Sequence, residues 1–560
     1  MGTASAPAGW PTGSDRIKQD YVYAIAVVSS LFAILFARYV ARYMQAYITW
    51  VQAGRLLSKQ FPSPPSDSLI MGHAPSMQSP RNHRWLSDIH KQLGPLIYIR
   101  LAHNHCVLIT DPNLLPRIFD RALYPPTSNV LDRPVDEMIK IIDLMTSDSG
   151  HSNLLTAKTG SQLWRLVRKG VAPAFNPQNI RQGFVYVLEA DYQLIEVLKG
   201  IGPERAVDMD DAAQRTSLEV IGRVGFGKTF GCLESLDHPA EGDAFKMVAV
   251  GLEEVAKRLS NPLRAYMPWN EEVRKGDRAM KSFQHLIRTL LKEVKARGLP
   301  SEDDPTIAGH LLRLRDQSGQ PLSDDALHAE FSVMFIAGTD TTGHTIANTL
   351  YLISQHPDAD RKIAEELDSL DLLVTRTRRA PRQLQYADLS RMPYLSGAIR
   401  ESMRMMAVVG SGVGRVAKQE MQLGPYTIPK GTILWAPIQA IHSSPALWDQ
   451  PDAFIPERWM EDDAEFWKPS NASAADTAKA NDAEAVRGRR YLPFGDGMRS
   501  CVGQSLAKMN YTATVALLLS HFSFRLADRM GGPEGVQAAE VSRIAVAPRN
   551  GMWLHAVPRA

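Results

Sequence analysis

Between Tyr21 and Ala37 the chain carries no charged residue (YVYAIAVVSSLFAILFA). At about 1.5 Å per residue, a helix of this length falls slightly short of a hydrocarbon core about 30 Å thick. Arg38 can snorkel, and Tyr39 and Val40 extend the apolar stretch. The pattern predicts a single-span membrane anchor over residues 21–40, behind a polar-leaning tail of residues 1–20. No small-x-small site follows the run, so it reads as a retained anchor rather than a cleaved signal peptide. Arg16 and Lys18 precede it, whereas Arg38, Arg42, Arg55 and Lys59 follow. That excess places the C-terminal bulk on the cytosolic side. The opening Met1-Gly2 is not a myristoylation signal, because residue 6 is Ala. Residues 41–75 read as a basic and proline-rich hinge, in which Phe61-Pro62-Ser63-Pro64-Pro65-Ser66 cannot continue a helix and forms a stiff spacer.

Beyond the hinge the pattern is that of a compact domain, residues 76–560. Two short strands are expected at residues 96–101 and 106–110, around Ala102-His103-Asn104-His105. Helical periodicity dominates residues 176–357, and strand-like runs return at 421–437. Ser323-Asp324-Asp325 has the cap and acidic first turn of a helix start, and the pattern then runs to His356, where Pro357 stops it. In the middle of that helix lies Ala337-Gly338-Thr339-Asp340-Thr341-Thr342, flanked by Phe331, Met334, Phe335 and Ile336. A glycine and four polar residues at the centre of an apolar helix are locally unfavourable, and such violations mark functional sites. Residues 461–490 are small and polar, with little to bury, and read as a surface insertion. Their Asn471-Ala472-Ser473 matches a glycosylation acceptor that stays unused on the cytosolic side. The fold class is mainly α with small β-sheets, without internal repeats.

Composition narrows the function by exclusion. The 560 residues are 44% hydrophobic and 22% charged, an ordinary globular balance, and a net charge of +3 gives no footprint for nucleic acid. Cys106, Cys232 and Cys501 are too few and too scattered for a disulfide framework or a zinc site, which fits a reducing compartment.

One cysteine stands in a loop that does chemistry. Phe494-Gly495-Asp496-Gly497-Met498-Arg499-Ser500-Cys501-Val502-Gly503 reads F-x-x-G-x-R-x-C-x-G, and a helix-like run begins at the cysteine. Backbone N–H groups at a helix start and an adjacent cation both favour thiolate over thiol. A thiolate so placed can ligate a metal, while the glycines let backbone approach a flat cofactor.

This segment resembles the haem-ligand loop of the cytochrome P450 family, and further motifs resemble that family in the same order along the chain. The resemblance implies haem b with Cys501 as the axial ligand to iron, and Phe494 and Gly495 against the ring. Ala337-Gly338-Thr339-Asp340-Thr341-Thr342 is similar to the family's A-G-x-D-T-T. It implies that Thr341 hydrogen-bonds bound O2, that Asp340 relays protons from solvent, and that Ala337 and Gly338 open a groove for O2. Glu401-Ser402-Met403-Arg404 resembles E-x-x-R, with Glu457-Arg458 in the partner segment. It implies a buried structural triad of Glu401, Arg404 and Arg458 behind the cysteine loop. Trp164 and Arg168 resemble the W-x-x-x-R propionate helix, and Arg415 and Arg499 match two more propionate-binding positions. Buried carboxylates call for paired guanidinium donors.

The family's fold is one large haem domain, so the prior of several domains from length alone falls. Two segments depart from the pattern. No proline follows Arg404, where Met405-Met406-Ala407-Val408-Val409 stands, and the family's His-Arg-Asp-Pro becomes His442-Ser443-Ser444-Pro445. The activity implied is that of a haem-thiolate monooxygenase, inserting one atom of O2 into a lipophilic small molecule. Its electrons derive from NADPH through a diflavin reductase or another electron-transfer protein, since no flavin or nicotinamide domain is visible. Arg487-Gly488-Arg489-Arg490 and Lys508 are candidate docking cations, and Phe335, Ile336, Val408, Val409 and residues 125–155 are candidate pocket lining. The anchor implies membrane lipid as a partner and the endoplasmic reticulum as location, with the catalytic domain cytosolic. Two competing readings are a haem-thiolate isomerase or dehydratase acting on peroxides, and a haem-binding sensor without turnover. Relatives of the first kind commonly lose the acid–alcohol pair that Asp340 and Thr341 preserve here.

Overall fold

The computed structural model describes residues 13–559 apart from 125–127, 129, 134–141, 144, 148, 237–243, 461–488 and 544. The insertion expected over 461–490, with its glycosylation pattern, therefore lies outside the described residues except for Arg489 and Arg490, as does Arg487. The chain divides into two units, Met1–Phe61 and Pro62–Ala560.

The first unit is a single helix, α1 (Gly13–Gln60). Residues Val27–Gln60 are long and apolar enough to cross a membrane. The helix does not end at residue 40, where hydropathy alone stops the span. The reason is local: no proline stands between Gly13 and Gln60, and the stretch after Arg38 keeps good helix formers such as Met44, Gln45, Ala46 and Leu56. The break comes at Pro62.

The second unit is built around helices α2 (Gln162–Val171), α3 (Pro177–Ile201), α4 (Met209–Phe226), α5 (Asp324–Ser354), α6 (Pro357–Ser369), α7 (Pro393–Met405) and α8 (Gln504–His521). Ser323 caps α5 by accepting from Ala326 N–H at 3.2 Å. The helix ends at Ser354, two residues before the expected His356, and Pro357 opens α6 rather than merely stopping α5. That fits proline's preference for a first helical turn. Along its length α5 is buried on nearly every side, packed chiefly on α4 and also on α7 and α8.

The central polar run does not break α5. Two of its threonine hydroxyls bond back to the preceding turn, Thr339 to Phe335 O (2.8 Å) and Thr341 to Ala337 O (2.9 Å), and Thr345 does the same one turn on, to Thr341 O (2.9 Å). The glycines serve helix crossing. A Cβ on Gly338 would stand 2.7 Å from Cγ1 of Ile221, and one on Gly343 would stand 2.4 Å from Cγ of Gln214, both on α4.

Strands β1 (Leu96–Leu101) and β2 (Asn104–Ile109) form a hairpin whose turn is only Ala102-His103, tighter than the four residues expected. They join β3 (Leu131–Asp132), β4 (Val413–Ala417) and β5 (Ile433–Ala436) in a five-stranded sheet of order β1-β2-β5-β4-β3. β2 and β5 run parallel and the other neighbours antiparallel. Arg415 thereby stands inside a strand, paired with Leu434, rather than before the strand run.

Candidate active site

The cysteine loop is folded by its own backbone. Cys501 N–H donates to Phe494 O at 3.0 Å, closing the loop into a ring. Gly497, at φ +72°, passes so close to another segment that a Cβ would meet Phe119 O at 2.4 Å. Gly495, at φ +66°, faces open space instead. Helix α8 starts at Gln504 with Gly503 as its cap, three residues after the cysteine rather than at it.

The Cys501 thiol is accessible yet walled in by protein, the situation of an atom on the floor of a crevice. Burial raises its pKa, and the Gly503 N–H and the Arg168 cation only partly offset this. The cation that acts on the sulfur is thus Arg168 on α2 rather than its loop neighbour Arg499. Protein dipoles alone do not hold this sulfur as a thiolate; a coordinated cation has the charge to do so. The other two thiols are unlike it. Cys106 and Cys232 are both buried and pushed strongly upward by burial, Cys232 additionally by Glu219.

Around the crevice the predicted cations come together, with partners that the sequence did not announce. The Arg499 guanidinium lies over the Trp164 ring at 4.3 Å, donating to Thr159 Oγ1 (3.0 Å), Leu154 O (2.9 Å) and Ala157 O. Arg415 is buried and donates to the Tyr124 hydroxyl and to Gly414 O (2.8 Å). Burial, then Arg133 and Arg415, push the Arg499 pKa well below the usual guanidinium range, against Asp132 and Tyr124. Arg168 is likewise pulled down by burial, and it makes no hydrogen bond or ion pair with a described residue. Buried guanidinium groups that repel one another leave a deficit of negative charge, which a buried dianion fits.

Glu401 is the centre of a dense polar knot. Arg404 donates to it twice (Nε to Oε2 at 2.9 Å, Nη2 to Oε1 at 2.8 Å), and Arg458 Nε donates to Oε1 at 3.0 Å. Trp459 Nε1 adds a bond to Oε2 at 2.9 Å. Both Glu401 and Arg404 are fully buried. Arg404 also donates to the backbone oxygens of His442 (2.9 Å), Pro451 (2.7 Å) and Ala453 (3.1 Å). His442 carries the connection onward, its Nε2 accepting from Leu492 N–H at 2.9 Å, two residues before Phe494. Burial and then Arg404 lower its pKa to about 3, so the ring is neutral and free to accept.

On α5, Ala337 is exposed midway along a helix whose other exposed residues are Asp324 and Asp325 in its first turn, while Gly338 faces Ile221 of α4. Asp340 and Thr341 are half-buried. Asp340 Oδ1 is 3.1 Å from His344 Nε2, one turn further on, and His344 Nδ1 is 2.6 Å from Asp210 Oδ1 on α4. His344 was missed, although its i, i+4 spacing from Asp340 was readable. Asp210 and Tyr124 gave no local signal, while His442 stood out only as the start of an altered motif and Arg133 only within the 125–155 stretch.

Two expectations are corrected. Lys508 is no docking cation: it stands on a helix buried nearly all round, burial and then Arg400 bring its pKa to about 8, and its ammonium lies 5.9 Å from the Phe494 ring. Phe335 is fully buried against Phe230 and Phe283, so it belongs to the core rather than to a pocket wall. Arg490 is engaged as well, donating to Leu447 O at 2.8 Å and lying over Trp448 at 4.3 Å. Much of the 125–155 wall lies outside the described residues.

The residues present fit a haem: an accessible sulfur on a crevice floor, glycine backbone facing open space, and buried cations in want of an anion. Comparison with known proteins gives an independent result. The family model described as cytochrome P450 matches residues 62–548. A flavonoid 3'-monooxygenase from Arabidopsis thaliana is 26% identical over 90% of this chain and 92% of its own. Cytochrome P450 3A13 from Mus musculus is 23% identical over 78% and 81%. A cyclooctat-9-en-7-ol 5-monooxygenase from Streptomyces melanosporofaciens is 25% identical over 77% and 83%.

Proposed function

Because the chain belongs to the cytochrome P450 family and is an oxidoreductase of the monooxygenase class, we propose that it inserts one atom of O2 into a lipophilic small molecule at a membrane surface. The other oxygen atom leaves as water, which takes two electrons and two protons per turnover. Haem, bound through Cys501, supplies oxygen activation and the electron donation of a thiolate. Arg168, Arg415 and Arg499 hold its carboxylates, with Trp164 as the flat surface beneath Arg499. Glu401, Arg404 and Arg458 fix the segment that carries the cysteine.

The observation that carries the proposal is the acid–alcohol pair, Asp340 and Thr341, on an unbroken helix beside exposed Ala337. The Thr341 hydroxyl rests on Ala337 O and has a lone pair free to accept while its proton can turn to a ligand. Asp340, its neighbour on the helix, supplies the protons. The smallness of Ala337 leaves room for O2, and that of Gly338 lets α4 close over α5. Electrons come from NADPH through a separate reductase, of which a diflavin enzyme on the cytosolic face of the endoplasmic reticulum fits the N-terminal helix.

Thr341→Ala is the test. A monooxygenase uncouples, consuming NADPH while releasing hydrogen peroxide in place of product. A peroxide isomerase or a haem sensor is indifferent to the change, and full product yield with NADPH and reductase omitted would overturn the proposal.

A further inference from the structure

Asp340 is held by a device of this chain's own. Its Oδ1 is engaged by His344 Nε2, and the opposite nitrogen of the same ring is engaged by Asp210 Oδ1. His344 and Asp210 are buried, and Asp210 is fixed in turn by Gln214 Nε2 on its Oδ2 (2.9 Å). An imidazole with a carboxylate on each nitrogen donates from both, which is the hydrogen-bonding state of the cation. Asp340, His344 and Asp210 also line one cavity of about 160 Å3. Its wall includes Asp208, whose carboxylate caps α4, together with partly exposed Arg543 and exposed Arg549. The cavity thus joins surface residues to the Asp340 carboxylate.

From this arrangement we infer that His344 is a positioning residue for proton delivery: clamped by Asp210, it fixes Oδ1 of Asp340 and leaves Oδ2 to exchange protons with water entering along the Asp208 wall. The inference rests on the proton-relay reading of Asp340 and Thr341. The electrostatics agree. The two carboxylates outweigh burial and hold the His344 pKa up at about 10, so the ring stays charged through the neutral range. Burial and then Asp210 raise Asp208 to about 7, which lets it take up and release protons near neutrality. The charged groups facing His344 are Asp340 on its own helix and Asp210 on α4, with Asp208, Asp211, Arg543 and Arg549 around the cavity. The sign follows: a required imidazolium is present below its pKa and lost above it.

The experiment uses the full-length, haem-loaded enzyme with His344→Leu, His344→Gln and Asp210→Asn. Histidine-labelled protein as the ferrous carbon-monoxide complex reports the His344 titration by NMR without turnover. In the parent the ring stays charged to about pH 10, and in Asp210→Asn the titration moves down by at least one pH unit. Coupling of NADPH to product falls about tenfold in His344→Leu, less than the roughly 10²–10⁴-fold of a lost acid–base group because Asp340 itself remains, and the solvent isotope effect rises. His344→Gln keeps a donor to Asp340 and recovers part of the coupling. Asp210→Asn gains a loss of coupling toward high pH that tracks the NMR titration. Unchanged coupling, isotope effect and pH profile in Asp210→Asn and His344→Gln, with Thr341→Ala uncoupled, would overturn this inference alone. If Thr341→Ala is also fully coupled, the reading of the relay itself fails.

Discussion

The backbone N–H of Leu492 donates to Nε2 of His442 across 2.9 Å, though the two residues stand fifty apart in the chain. The same histidine offers its carbonyl to Arg404, so one residue ties the Glu401 knot to the start of the cysteine loop. Removing the acceptor with His442→Ala leaves a buried N–H unpartnered, at about 1–3 kcal/mol. The expected outcome is a larger fraction of the inactive form in the reduced carbon-monoxide difference spectrum, with substrate binding little changed in the native fraction.

That histidine also makes the fold acid-labile. Its pKa drops from an ordinary 6.5 to about 3 in the folded protein. Between those values the unfolded chain binds the extra proton, so stability is full above pH 6.5 and declines as pH falls toward 3. One group gives a slope of up to about 1.4 kcal/mol per pH unit. Urea unfolding of His442→Asn at pH 7 and pH 5 should show a smaller difference than the parent does.

Glu401 receives two guanidinium groups and an indole, with no water-facing alternative. Glu401→Ala strands Arg404 in the interior and should cost about 3–5 kcal/mol. Haem content per chain and the denaturant midpoint should fall together.

Arg168 faces the crevice without a described acceptor and is disfavoured as a cation by burial. Arg168→Met should leave the haem-free protein as stable as before, or more so. The haem-loaded protein should release its cofactor to a scavenger about tenfold faster or more, the worth of a charge-assisted hydrogen bond. Equal haem-loss rates would remove Arg168 from the propionate set.

Gly338 is a crossing point of two helices. A Cβ there would press on Ile221 at 2.7 Å, so Gly338→Ala should cost about 1–3 kcal/mol by overpacking. Combined with Ile221→Ala, the loss should be less than the sum of the single changes, because the second substitution removes the atoms in the way.

What the sequence displayed was chemistry that breaks a local rule. A glycine and polar residues inside an apolar helix, a cysteine among glycines, and Glu401 and Arg404 one helical turn apart are all visible at short range. The partners that complete each feature were not. Asp210 lies 134 positions from His344, and Tyr124 lies 291 positions from Arg415. No periodicity links residues that meet only when helices cross. Lys508 shows the complementary error, since a charged residue was read as surface although its helix, with polar Asn510, Thr512 and Thr514 also inside, is buried nearly all round.

The three cysteine thiols divide sharply. Cys106 and Cys232 are sealed in the interior with their thiols far from ionising, whereas Cys501 is accessible. An alkylating reagent applied to the folded protein therefore has one target, and an iron-bound sulfur is shielded from it. The moles of label taken up per mole of chain become a census of the cofactor-free molecules in any preparation, obtained without a spectrum.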